Sequence, residues 1–200
     1  QRAAGRRKRL LIADMESTMI ENEMLDELAA EVGLEAKIAD ITARAMAGEL
    51  DFEGSIIARV AMLEGLEEAA LDRALNTIRF TRGAATLVAT MRANGAYCAL
   101  VSGGFEFFTR WVRARLGFDM DQANKLGIRA GKLSGKLVGP ILGREAKRAA
   151  LARLTAAQGI TVAAAIAVGD GANDLDMLIA AGMGVAFHAK PIVANRAAAR

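Results

Sequence analysis

Two hundred residues, 53% of them apolar, 24% charged and two of them proline, make one large globular domain or a core domain with a smaller insertion, and argue against long disorder. A single cysteine, Cys98, and a single histidine, His188, exclude an internal disulfide framework, a multi-cysteine zinc or iron–sulfur site and a His-rich metal centre. The net charge of +3 is carried by Arg2, Arg6, Arg7, Lys8 and Arg9; beyond them 21 basic side chains (26 less these five) face 23 acidic ones, which is no footprint for a nucleic acid.

Residues 1–9 read as a solvated basic tail or linker. No signal-peptide core follows, since Leu10–Ala13 ends at Asp14. The longest charge-free stretch, 154–169, is 16 residues and is interrupted by Thr155, Gln158 and Gly159, short of the roughly 18–20 apolar residues of a bilayer helix. A cytoplasmic location with no membrane partner is therefore expected. The opening Gln1 in place of Met leads us to expect a longer native protein.

Three short apolar runs, 10–13, 97–101 and 164–168, each end in polar or small residues and suit strands covered on both faces. A further strand is expected at 184–187. Helical patterns fall between them at 83–94, 104–116, 144–158 and 173–181. Alternation of this kind predicts an α/β fold, a doubly wound (Rossmann-like) parallel sheet. From 22 to about 78 only helical periodicity appears: Met24, Leu25, Leu28 and Val32; Ile38, Ile41 and Ala45; Ile56, Ile57, Val60 and Leu63. That is too long for a crossover and reads as a helical cap at 21–78, inserted into a core formed by 10–20 and 79–200. A second irregular stretch, 122–142, alternates around Gly127, Gly131, Gly135 and Gly139 and predicts a small β-hairpin excursion.

Ligands of open α/β sheets bind beyond the carboxyl ends of the strands. The expected strand ends deliver Asp14, Ser102 and Asp170 to that edge, each followed by small residues and a helix, so free N–H groups make an anion cradle there. Two aspartates in such a cradle would repel a phosphate. A hard divalent cation, Mg²⁺, resolves the conflict. Cys98, mid-strand, reads as a small buried hydrophobe, and His188 as structural.

Asp14-Met-Glu-Ser-Thr18 after a strand, Ser102-Gly-Gly after a strand, Lys147 at a helix start and Gly169-Asp-Gly-Ala-Asn-Asp174 form an ordered set. With Glu23, Ala45-Met46, Asp51-Phe52 and Arg59-Val60 in the cap, the chain resembles the haloacid-dehalogenase-like phosphatases, and among them those acting on phosphoserine. The resemblance implies Asp14 as a nucleophile carrying an aspartyl phosphate. It implies Ser102, Gly103 and Asn173 as donors to the phosphoryl oxygens and Lys147 as the neutralising charge. Mg²⁺ would take Asp14, Asp170 and the main-chain oxygen of Glu16, with Asp174 orienting the metal's waters. The substrate would be a small phosphorylated amino acid, its ammonium on Glu23, its carboxylate on Arg59 and its apolar wall formed by Met46 and Phe52.

Taken singly these residues have plainer readings: Ser102-Gly-Gly as a turn, Lys147 as a solvated lysine, Arg59 as a surface charge, Asp174 as a capping acid. The chain also departs from the family's Asp-x-Asp-x-Thr pattern, since its third position is Glu16. Glu keeps the acid–base group and adds roughly 1.3 Å of reach. Hydrolysis of O-phospho-L-serine leads. Transfer to an alcohol such as homoserine, hydrolysis of another small phosphate, and a phosphate-binding module without catalysis are the alternatives.

Overall fold

The structure, a computed structural model, describes residues 7–46, 51–189 and 191–199. In chain order the elements are β1 (Leu10–Ala13), α1 (Met24–Ala30), α2 (Glu35–Met46), α3 (Phe52–Ala61), α4 (Ala69–Leu75), α5 (Ala84–Ala93), β2 (Tyr97–Phe105), α6 (Glu106–Leu116), β3 (Met120–Arg129), β4 (Lys132–Val138), α7 (Arg144–Ala157), β5 (Ala165–Gly169), α8 (Leu175–Ala180), β6 (Met183–Ala186) and α9 (Pro191–Ala194). The sheet runs β4-β3-β2-β1-β5-β6. β1 is central and parallel to both neighbours, with Leu10 opposite Tyr97 and Ala165.

The unbroken apolar run of β1 follows from burial on two faces. Leu11 and Ala13 point into a cluster with Val88 of α5 and Phe108 and Val112 of α6. Leu10 and Ile12 point the other way, onto Leu151 and Leu154 of α7 and Leu178 of α8. The first cluster continues into the inserted helices through Met24, Leu28, Ile38 and Ile56, and into the turn after α3 through Leu63.

β2 extends past its apolar run to Phe105, so α6 starts at Glu106 rather than at 104. The extension is irregular: Val101 pairs with Gln122 but Phe105 with Asn124, leaving 102–104 opposite a single residue. Such a bulge lifts backbone out of the ladder. The expected hairpin at 122–142 is present as β3 and β4, and it is joined to the main sheet. β3 begins at Met120, pairs parallel to β2 as far as Asn124 and from Lys125 pairs antiparallel to β4, which forms the sheet edge.

The expected helix at 173–181 opens instead as a 3-10 turn, Ala172–Asp174, before α8. Two expected core positions face outward. Val32 lies beyond the end of α1 and is 41% exposed; Ile57 is 52% exposed, because Ile56 and Val60 already make the inner stripe of α3.

α1–α4 are inserted between β1 and α5 through two linkers that lie side by side. Ile20 forms an antiparallel bridge with Phe80, Glu21 N donates to Arg79 O at 2.9 Å, and Thr81 N to Met19 O at 3.1 Å. The buried Asn22 locks the pair. Its Oδ1 accepts from Arg79 N at 2.8 Å, and its Nδ2 donates to Glu27 Oε1 at 2.6 Å and Thr77 O at 3.2 Å. Among the described residues no helix is long and apolar enough to cross a membrane.

Candidate active site

The carboxyl end of β1 hands the chain straight to Asp14, whose N–H continues the ladder to Val168 O at 3.0 Å. Its Oδ1 accepts from Met15 N at 2.7 Å and its Oδ2 pairs with Lys147 Nζ at 2.7 Å. Lys147, in the first turn of α7, has no exposed surface and also donates to Asp174 Oδ1 at 2.6 Å. Asp174 Oδ2 accepts from Gly171 N at 3.1 Å. Asp170, at the end of β5, accepts from Thr18 Oγ1 at 3.0 Å.

Three carboxylates, those of Asp14, Asp170 and Asp174, thus offer oxygens within 4.8 Å of one another, against one ammonium. Burial, with Asp174 adding repulsion and Lys147 opposing it, pushes the Asp14 carboxyl up to about 8. Burial disfavours the charge on Lys147, but Asp14 and Asp174 outweigh it and hold the lysine above its ordinary value. Burial and the Asp174 charge likewise raise Asp170. A hard-oxygen cluster with surplus negative charge is a donor set that suits a small divalent cation. Asp174, expected only to orient metal waters, sits within this cluster, although both its oxygens are already engaged by Lys147 and Gly171.

Above Asp14 lies a cavity of about 140 Å³. Asp14, Asp170, Gly103 and Asn173 form its floor, and Glu23, Phe52 and Arg59 from the insertion also line it. Glu16 reaches in from the side: its Oε1 accepts from Met24 N at 2.9 Å, so the first residue of α1 aims it. Its other oxygen lies over Gly104, where a Cβ would come within 2.6 Å; the longer Glu side chain occupies space that a glycine leaves open. Burial, then Glu23, push Glu16 up to about 8, with the Met24 N–H opposing. Ser17, at φ 52°, donates its hydroxyl to Glu23 Oε1 at 2.6 Å.

Eight of the residues singled out in the sequence therefore line one cavity: Asp14, Glu16, Glu23, Phe52, Arg59, Gly103, Asp170 and Asn173. Lys147 and Asp174 lie beneath it, connected through Asp14. Ser102 is not one of these eight. It is fully buried and its Oγ accepts from Gly104 N at 2.9 Å; in the bulge the hydroxyl turns back onto its own backbone. The side chain of Met46 lies outside the described residues.

Leu25, Ile56, Gly104 and Phe105 also line the cavity, and sequence reasoning gave none of them a role there. Ile56 looked like one more core position on its stripe. Cys98 is buried in β2 and His188 is exposed, its ring edge-on to Phe187, both away from the cavity.

A parallel sheet that presents an acid at the end of its central strand, beside a buried lysine and two further aspartates, matches a known class. The family model for haloacid dehalogenase-like hydrolases covers residues 11–178, and the chain belongs to that family. It is 46% identical over 198 residues to the phosphoserine phosphatase of Streptomyces coelicolor, covering 98% of this chain and 48% of that one. To the phosphoserine phosphatase of Methanocaldococcus jannaschii it is 38% identical over 192 residues, with 96% and 91% covered. A solved structure described as a phospho-aspartyl intermediate analogue of phosphoserine phosphatase superposes with a TM-score of 0.90 at 38% identity, covering 97% of this chain and 93% of that one. The chain spans about half the length of the first curated relatives it matches.

Proposed function

We propose that this chain hydrolyses O-phospho-L-serine to L-serine and phosphate through an aspartyl phosphate on Asp14. The observation that carries the reading is one cavity with Asp14 in its floor, backed from beneath by Lys147 and Asp174, and both Glu23 and Arg59 in its wall. A phosphate needs the floor; an ammonium and a carboxylate on the same small molecule need the wall. The names of relatives that this chain covers nearly end to end support the same substrate.

A carboxylate oxygen of Asp14 attacks phosphorus, and the bond from phosphorus to the serine oxygen breaks. Glu16 gives its proton to that leaving oxygen. It then takes a proton from the incoming water, whose oxygen displaces Asp14 and frees phosphate. Lys147, held between Asp14 and Asp174, supplies fixed positive charge beside the reacting group, and Gly103 and Asn173 offer N–H groups to it. Asp14, Asp170 and the main-chain oxygen of Glu16 are the ligands assigned to Mg²⁺, which when bound offsets the negative charge of the phosphoryl group and the carboxylates. Residues 21–78 act as the cap over a core of 10–20 and 79–200, with Phe52 sealing the cavity against water.

The test is inorganic phosphate release with Mg²⁺ across phosphoserine, phosphothreonine and glycerol phosphate, run with and without homoserine as an alcohol acceptor. Preference for phosphoserine and a product ratio unaffected by homoserine are expected. Activity confined to glycerol phosphate would remove the amino-acid assignment; phosphohomoserine as the main product would replace hydrolysis by transfer.

A further inference from the structure

Asn124 has 2% of its surface exposed, and no step above uses it. Its place follows from the irregularity in the sheet, where 102–104 of β2 bulge opposite one residue of β3. A buried carbonyl taken out of a ladder needs another donor. Asn124 Nδ2 donates to Gly103 O at 2.7 Å, while Asn124 Oδ1 accepts from Leu142 N at 2.7 Å. A carbonyl on one side and an N–H on the other leave the amide a single orientation.

Leu142 directly precedes Gly143, the N-cap residue of α7, whose carbonyl accepts from Lys147 N at 3.2 Å. One side chain therefore joins the bulge to the helix start that carries Lys147. Phe52 lies across the same joint: a Cβ on Gly103 would meet its ring at 3.0 Å, and a Cβ on Gly143 at 3.2 Å.

We propose that Asn124 is a positioning residue for the reaction: it sets the spacing between the 102–104 bulge and the first turn of α7, and with it the placement of the Gly103 main chain, Lys147 and the seat of Phe52. This rests on the phosphatase reading above. Only an amide satisfies both partners. Aspartate at this position keeps the acceptor for Leu142 N–H and turns an oxygen against the Gly103 carbonyl; serine is too short to span the joint.

Asn124→Asp and Asn124→Ser are compared with the parent in the 200-residue chain with Mg²⁺, with kcat on phosphoserine corrected to the folded fraction from melting curves. Hydrogen exchange is followed by mass spectrometry without substrate. We expect kcat per folded molecule to fall about 10- to 100-fold, the scale of an ångström-sized misplacement. Exchange should rise in 101–105 and 141–147 and stay at the parent level in β1 and β5. A purely structural asparagine would lower the melting temperature and leave folded molecules turning over normally, so kcat within about twofold of the parent overturns the proposal. A loss of kcat with exchange unchanged in both segments overturns it too. If Asn124→Asp does not fold, the serine variant decides by the same two readouts. A parent that releases no phosphate from phosphoserine sinks the phosphatase reading, and the exchange arm still reports whether Asn124 holds the joint.

Discussion

At the scale of single residues, the site turns on close approaches. Glu16 fits because Gly104 has no side chain: an added Cβ would stand 2.6 Å from Glu16 Oε2. Gly104→Ala is therefore expected to displace the carboxyl and cost about 100-fold in kcat, with the far-UV circular dichroism unchanged; parent-level turnover would show that Glu16 is not needed where it lies. Asp14→Asn should stop turnover while the chain still folds, since an amide cannot accept the phosphoryl group. Acid-quenched parent enzyme should carry an added phosphoryl at Asp14 by mass spectrometry. Cys98 offers a control on the sheet. Burial, then Asp119, push its thiol up to about 12 against the pull of Arg92, so at pH 8 it stays protonated and should resist iodoacetamide until the chain unfolds. Native labelling as fast as in denaturant would mean that β2 opens.

Most of these positions were legible because residue type and order along the chain carry them: an acid after each of two strands, a lysine at a helix start. The local setting of Ser102 could not be read, because it depends on a bulge set by β3, and sequence periodicity says nothing about register between strands. Gly104 and Phe105, which follow Ser102 in the same motif, were given no place in the cavity for the same reason. Asn124 gave no local signal at all, since both its partners lie far away along the chain.

At the scale of elements, α3 presents Phe52 at its first turn and Arg59 at its last to the cavity, and in the proposed function it is the helix that reads the substrate. Arg59→Ala should raise KM for phosphoserine by roughly 10- to 100-fold, the loss of a charged hydrogen-bonded pair of about 1.5–3 kcal/mol. KM for a phosphate ester without a carboxylate should barely change. Equal losses on both would make Arg59 a support of α3 instead. The helical pattern of the insertion was readable from its 3.6-residue period, but not which helix faces the cavity. That is decided by the linkers, where Asn22 ties residues 77–79 to α1. Removing that side chain strands buried groups, and Asn22→Ala is expected to destabilise the protein by about 1–3 kcal/mol in denaturant melts.

For the molecule as a whole, the clustered carboxylates of Asp14, Asp170 and Asp174 predict a stability that depends on cations. If they hold a divalent ion, Mg²⁺ at about 100 times its Kd adds roughly 2.7 kcal/mol, or about 5–10 °C in melting temperature for a chain of this size. Asp170→Asn should abolish the shift. Identical melting curves in EDTA and in millimolar Mg²⁺ would show that the carboxylates face one another without a metal.

The side-by-side linkers also bear on how the chain reaches its native state. β1 pairs only with distant partners, Leu10 with Tyr97 and Ala165, and such long-range pairing makes folding slow. The bridge between Ile20 and Phe80 ties off the four inserted helices, so that β1 and β2 become neighbours along a far shorter path with a smaller loop-closure cost. Forming that ribbon early is a kinetic shortcut. Asn22→Ala should accordingly slow refolding in stopped-flow chevrons and leave the unfolding limb nearly unmoved, a φ-value near one; an effect confined to unfolding would place the ribbon after the rate-limiting barrier.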